Sequence, residues 1–258
     1  MTIANRAILM TGAQQKKTQE AVTGGGSALR RYQNLIVGRR SIAALIYYEW
    51  CMLVGALPGA IGLLMRKLFW PRLFGACGAG VLFGGHVILR HPHRIRLGER
   101  CVISDGCILE ARTESSTAIT VGADSILSNN VMISCKNGIV EIGSRVGIGA
   151  QTIMHAVNGC AVEIGDDVLI GPRCYFAGGG NYNTERTDIP MALQGLKDET
   201  GVVLGSDIWL GANVSVLSGV TIGDGSIVAA GAVVTSAIPD RGVAMGVPAR
   251  VTRLRGDR

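Results

Sequence analysis

Moving a proton near neutral pH calls for an imidazole, which titrates near pH ~6.5 when unperturbed, and the sequence holds four: His86, His91, His93 and His155. The first three crowd together, with His91-Pro92-His93 a tempting ligand pair. His155 instead stands ahead of a long irregular stretch, residues 177–203, that carries Gly178-Gly179-Gly180, Asn181, Tyr182, Glu185 and Asp188. Backbone N–H groups of a glycine run could face a developing oxyanion. The carboxylates could orient a base or bind a hydroxyl, and Tyr182 could contact an acceptor ring. These are the residue types that general-base chemistry at a carbonyl carbon requires.

What holds such residues in place is a six-residue step. Leu97/Ile103/Leu109, Val121/Leu127/Ile133, Ile142/Ile148/Met154, Ile164/Ile170/Phe176, Leu204/Leu210/Val216 and Ile222/Val228/Val234 form six triplets of apolar anchors. Neither the helical period of about 3.6 nor the strand period of about 2 sustains a six, so each unit is one short strand and one turn of a solenoid. Three hexads close a triangular coil, with anchors inward and polar corners outward. Four residues past the anchors sit small or β-branched residues suited to a cramped turn, among them Cys101, Cys107, Ser125, Thr152 and Cys174. In that register His155, directly after the anchor Met154, lies one coil beneath Ala177, where the long stretch begins.

Composition agrees: 37 glycines and 5% aromatics in 258 residues suit a turn-rich β architecture better than a helical bundle. Seven cysteines, an odd number with no C-x-x-C spacing, read as reduced structural thiols of a cytoplasmic protein. The net charge of +6 is unevenly placed, with ten Lys/Arg against two acids in residues 1–75 and fifteen against seventeen in the remainder. The repeat region therefore offers no basic face for nucleic acid.

Residues 42–65 are apolar apart from Glu49 and are broken by Pro58. The uncharged run from Trp50 to Met65 falls short of the ~20 residues a spanning helix needs. Arg39-Arg40 and Arg66-Lys67 flank it on both sides. Helices here either pack on the end of the solenoid or a sister subunit, or lie on a membrane surface through residues 42–74, which would make the protein peripheral. The expected organisation is a flexible leader at 1–27, an apolar helical segment at 28–80, the repeat at 81–241 interrupted by the loop 177–203, and a tail at 242–258.

Leu204–Val234, with its W-L-G-A-N segment, followed by G-V-P-A-R-V at Gly246–Val251, resembles the hexapeptide-repeat acyltransferases, and in particular the acetyl-CoA-dependent O-acetyltransferases. The resemblance covers roughly residues 80–252 and implies a mainly β, left-handed parallel β-helix, here of about six coils. It also implies a homotrimer with sites between subunits, acetyl-CoA as acyl donor, no metal, and a sugar or other hydroxylated small molecule as acceptor. Residues matching Trp209, Gly211, Ala212, Ala230 and Gly231 line or neighbour the CoA arm in that family, and Arg250 stands where basic residues often meet the CoA phosphates. The frame of Asn181, Asp188, Ile189, Pro190, Met191, Gln194 and Gly195 resembles the family's acceptor loop, in which a histidine commonly serves as general base. Here Asn181 and Tyr182 occupy those positions, which leaves His155 as the substitute base, Asn181 and Tyr182 as further catalytic candidates, and Glu185, Asp188, Gly179 and Gly180 as acceptor-binding ones. The same fold serves γ-class carbonic anhydrases, whose three-histidine zinc site does not assemble from these positions, and non-catalytic scaffolds, which stay open as an alternative.

Overall fold

A computed structural model describes residues 27–257; most of the expected leader lies outside the described residues. Strands stack in parallel on three faces around an apolar interior. The first face runs β1 (Ala76–Cys77), β4 (Ile95–Leu97), β7 (Ile119–Val121), β10 (Ile139–Ile142), β13 (Ala161–Ile164), β16 (Gly201–Leu204) and β19 (Val220–Ile222). The third runs β3 (Ile88–Arg90), β6 (Ile108–Arg112), β9 (Met132–Lys136), β12 (Ile153–Val157), β15 (Tyr175–Gly178), β18 (Ser215–Val216) and β21 (Val233–Val234). The second begins at β2 (Leu82–Phe83) and contains β17 (Trp209–Leu210) and β20 (Ile227–Val228).

The protein is thus a mainly β, parallel solenoid of about seven turns, one more than the six triplets predict. The additional first turn is anchored by Cys77, Phe83 and Leu89 at the same six-residue step, with Phe83 and Leu89 1% and 0% exposed. Its anchors include a cysteine and a phenylalanine, which an aliphatic pattern passes over. The solenoid accordingly starts at Ala76 rather than at residue 81.

Anchors such as Leu109, Leu127 and Ile133 are fully enclosed. The small residues four positions on are enclosed too, and they have a further use. Cys101 Sγ donates to Gly122 O (3.1 Å), Cys107 Sγ to Ser128 O (3.2 Å), Cys174 Sγ to Gly211 O (3.2 Å) and Ser125 Oγ to Gly143 O (2.9 Å). Each hydrogen bond ties a corner to the next coil, which is why Cys and Ser suit a position that packing alone would give to alanine. Burial pushes the Cys107 thiol up to about 11, so it stays protonated and a donor.

A stack of this kind has two open ends. At the first, α1 (Ala28–Tyr32), α2 (Ile42–Gly55) and α3 (Gly59–Phe69) cover the free edge. Arg66 is buried, donating from Nε to Phe83 O (2.9 Å) and from Nη1 to Gly55 O (2.8 Å) and Leu57 O (3.1 Å). Tyr48 Oη donates to Leu89 O at 2.7 Å. Arg66 is therefore a cap for the solenoid and not, as its neighbour Lys67 is, part of an exposed basic flank. At the other end β22 (Gly242–Met245) adds in parallel to β20, and β23 (Arg250–Leu254) folds back antiparallel on β22. The tail is thereby a closing hairpin of the second face.

Arg66→Met should lower stability in urea unfolding by about 1–3 kcal/mol for each carbonyl it leaves unsatisfied in the interior. Leu127→Ala, which opens a cavity between layers, should cost about 2–5 kcal/mol in the same measurement.

Candidate active site

A polar row runs along the third face. Arg90, Glu110, Ser134, His155 and Ala177 are successive partners across β3, β6, β9, β12 and β15. His155 is half-buried, in register with Ser134 below and Ala177 above, and its ring packs on Tyr175 at a centroid distance of 6.0 Å. Burial is the first cause that holds its pKa below the usual histidine value; the Lys136 charge adds to this and Glu110 opposes it. The ring is thus neutral at pH 7, the form that accepts a proton.

Glu110 is a residue that sequence reasoning missed. Its side chain is buried, accepting from Ser134 Oγ (2.9 Å) and paired with Arg112 (2.8 Å) and Arg90 (3.3 Å). A buried carboxylate needs such partners, and they place a fixed negative charge two layers from His155. The register of the hexads was its only sequence signal: Glu110 follows the anchor Leu109 as His155 follows Met154.

The other histidines serve the fold. His86 occupies a corner at φ 55°. His91 and His93 stack at 6.1 Å against the turn at Gly38, and His91 Nε2 donates to Asn34 O at 2.9 Å. Burial pushes His93 down to about 4. Among the described residues, no group of three or more His, Cys, Asp or Glu side chains stands together as metal ligands would.

The long interruption leaves the third face after Gly178 and rejoins the solenoid on the first face at Gly201, so the strands take residues from both ends of the expected 177–203. It is internally braced. Asn181 donates from its backbone N–H to Glu199 Oε2 (3.0 Å) and from Nδ2 to Glu199 Oε1 (2.7 Å), closing the neck. Tyr182 bridges Leu196 and its side chain is exposed. Asn183 Nδ2 spans Gln194 O and Leu196 O, both at 3.2 Å, while Gln194 Nε2 donates to Arg186 O at 2.7 Å. The acids expected to meet an acceptor are exposed and ion-paired, Asp188 with Arg186 and Glu185 with Lys197 (3.7 Å). Gly179 N–H already donates to Ala177 O (3.0 Å), whereas Gly180, at φ +101°, lies over Val157, the neighbour but one of His155.

Trp209, Gly211, Ala212, Ala230 and Gly231 form a second group, at the corner between the second and third faces. Trp209 is 56% exposed on β17. A Cβ on Gly211 would lie 2.5 Å from Ala230 N, so only glycine permits that stacking, and Gly231 N–H donates to Ala212 O at 2.8 Å. Arg250 is exposed on β23, which closes the same second-face sheet. The structure therefore assembles two groups and does not join them. His155 stands mid-strand on β12 of the third face, and the Trp209 group stands at the corner of that face with the second, two to three layers further along the stack.

A solenoid with a hexapeptide step, one braced interruption and an outward row of polar side chains defines a class. Residues 201–236 match the family described as bacterial transferase hexapeptide (six repeats). A probable acetyltransferase of Mycobacterium tuberculosis is 31% identical over 65% of this chain and 54% of its own length. The galactoside O-acetyltransferase of Escherichia coli is 36% identical over 45% of this chain and 57% of its own. The chain thus spans about half the length of these curated relatives. Among solved structures, the N-acyltransferase AntD from Bacillus cereus has the same fold, with a TM-score of 0.50 at 22% identity over 70% of this chain and 85% of that one. The chain thus carries the bacterial transferase hexapeptide repeat and over its solenoid is similar to proteins named as acetyltransferases.

Asn181→Ala should loosen the neck of the loop, seen as faster limited proteolysis between residues 181 and 199. Unfolding should barely move, since exposed substitutions of this kind stay within about 0.5 kcal/mol.

Proposed function

We propose that the protein transfers an acetyl group from acetyl-CoA to a hydroxyl of a sugar or other small molecule, with His155 as general base. The observation that carries this reading is the half-buried imidazole of His155, its pKa held below the usual histidine value by burial, in register with Ala177, one residue before the loop departs. His155 takes the proton of the acceptor hydroxyl as its oxygen attacks the thioester carbonyl carbon. The tetrahedral oxyanion then collapses, the C–S bond breaks, and CoA leaves as a thiol once it is protonated. The Gly180 N–H is the candidate donor to the oxyanion, and Tyr182, Glu185 and Asp188 face the acceptor.

The separation of the two residue groups supports a homotrimer. Within one chain His155 stands mid-strand on the third face and the Trp209 corner lies two to three layers further along the stack, so in this reading a neighbouring copy brings a corner carrying the CoA arm against the loop. Trp209, Gly211, Ala212, Ala230 and Gly231 would hold the pantetheine, and Arg250 the phosphates. The similar galactoside O-acetyltransferase, by its name, acts on a sugar hydroxyl. AntD, of like fold, is an N-acyltransferase, so the acceptor panel that tests this reading includes amino sugars beside hydroxylated ones.

CoA-thiol release with acetyl-CoA and that panel is the direct assay. His155→Ala should lower kcat about a hundredfold to ten-thousandfold, the usual range for a positioned base, with calorimetric CoA affinity preserved. If acetyl-CoA does not bind at all, the reading as a transferase fails in favour of a scaffold.

The pH profile carries a sign. Because His155 titrates below the usual histidine value, activity should persist into mildly acid solution and fall with an apparent pKa below ~6.5. Lys136→Met removes a charge that lowers that pKa and should move the acid limb up; Glu110→Gln removes one that raises it and should move the limb down. An acid limb indifferent to both would assign the base elsewhere.

A further inference from the structure

The helices that cap the solenoid are apolar on the wrong side as well. In α2 only Glu49 is charged among fourteen residues, a composition expected of an enclosed helix. One side, with Tyr48, Cys51 and Val54, is buried toward the solenoid, but Ile46, Trp50 and Leu53 on the other are 64%, 42% and 69% exposed. In α3, Ile61, Leu64 and Leu68 follow the i, i+3, i+7 spacing of one helix face and are 69%, 55% and 56% exposed. Trp50 meets Phe69 edge-to-face at 5.8 Å across the helix pair, so the two outward faces adjoin. Scattered exposed leucines need no explanation, whereas a joined patch of this kind marks a contact surface.

Charge selects the partner. Residues 27–75 contain seven Lys/Arg and a single acid, Glu49, which accepts a hydrogen bond from Tyr32 Oη. Arg39, Arg40, Lys67 and Arg72 are exposed around the patch. A second copy of the same face would set these cations against each other across a self-complementary contact. No helix among the described residues is long and apolar enough to cross a membrane. An apolar face with an aromatic residue and a cationic rim on helices too short to span is the pattern of an interfacial element.

We propose that the outer face of the α2–α3 pair docks the protein on an anionic phospholipid surface. Ile46, Trp50, Leu53, Ile61, Leu64 and Leu68 enter the headgroup boundary, and the basic rim meets lipid phosphates. The proposal is independent of the transferase reading, since none of these residues belongs to the loop or to the Trp209 corner.

Flotation of the full chain with vesicles of phosphatidylcholine, and of phosphatidylcholine mixed with phosphatidylglycerol, tests it. The protein should float with the mixed vesicles and less with the neutral ones, and salt should weaken the binding. Arg39→Ala combined with Arg40→Ala should reduce partition roughly tenfold or more. Leu53→Glu combined with Ile61→Glu should abolish it while leaving the β-sheet circular dichroism intact, because both side chains point away from the core. Failure to float with either vesicle would overturn the proposal, as would undiminished flotation of the double glutamate variant. A variant that only changes the protein's sedimentation size, without any vesicle binding by the parent, would assign the patch to a second copy instead.

Discussion

Stacking of one coil on the next is the interaction on which everything else in this protein depends. Interior coils satisfy their backbone groups on both sides through parallel ladders, and their anchors pack on the anchors of adjacent layers. The two terminal coils cannot do so, and the chain before and after the repeat is shaped by that deficit. Arg66 and Tyr48 reach the carbonyls of Phe83 and Leu89 at one end, and the β22–β23 hairpin extends the second face at the other. An arginine buried to 4% exposure within a largely apolar helix pair is unusual. Its donors have carbonyl partners, which is the condition under which a buried charge is tolerated.

That regularity also restricts where chemistry can be built. Each outward side chain on a face has one neighbour above and one below, so polar constellations arise either as vertical rows or as interruptions. The row from Arg90 through Glu110 and Ser134 to His155 is of the first kind, and the braced loop between Gly178 and Gly201 is of the second. They meet where His155 pairs with Ala177. The Trp209 corner belongs to neither, since it lies where the second face turns into the third in later coils.

The sequence makes the scaffold legible because a six-residue step leaves a trace at every anchor, and six of about seven layers are visible as aliphatic triplets. The first layer is hidden by chemistry rather than by irregularity: Cys77 and Phe83 do an anchor's work without looking like one. The site is less legible. His155 and the loop stand out by residue type and by interruption, but Glu110 looks like any outward acid on a strand until Ser134, twenty-four residues away, is seen to donate to it. Asn181 has the reverse history, suggesting chemistry by its place in a motif while its amide holds the neck of the loop to Glu199. Side-chain partnerships across coils are long-range in sequence, and a local pattern does not encode them.

The α2–α3 pair shows how one element can answer two constraints at once. Its inner face must be apolar to cover Phe83 and Leu89, and it must carry donors for their carbonyls; both demands come from the end of the solenoid. Nothing in that task requires Ile46, Leu53 or Ile61 on the outer face, where a lysine or glutamate would support the helix equally and keep it wetted. Apolar residues retained there, beside a cationic surround that repels its own copy, are therefore a second constraint superimposed on the first. The cap fixes the orientation of the hairpin relative to the stack, so whatever the outer face meets also fixes the direction in which the solenoid, and with it the row of His155, is held.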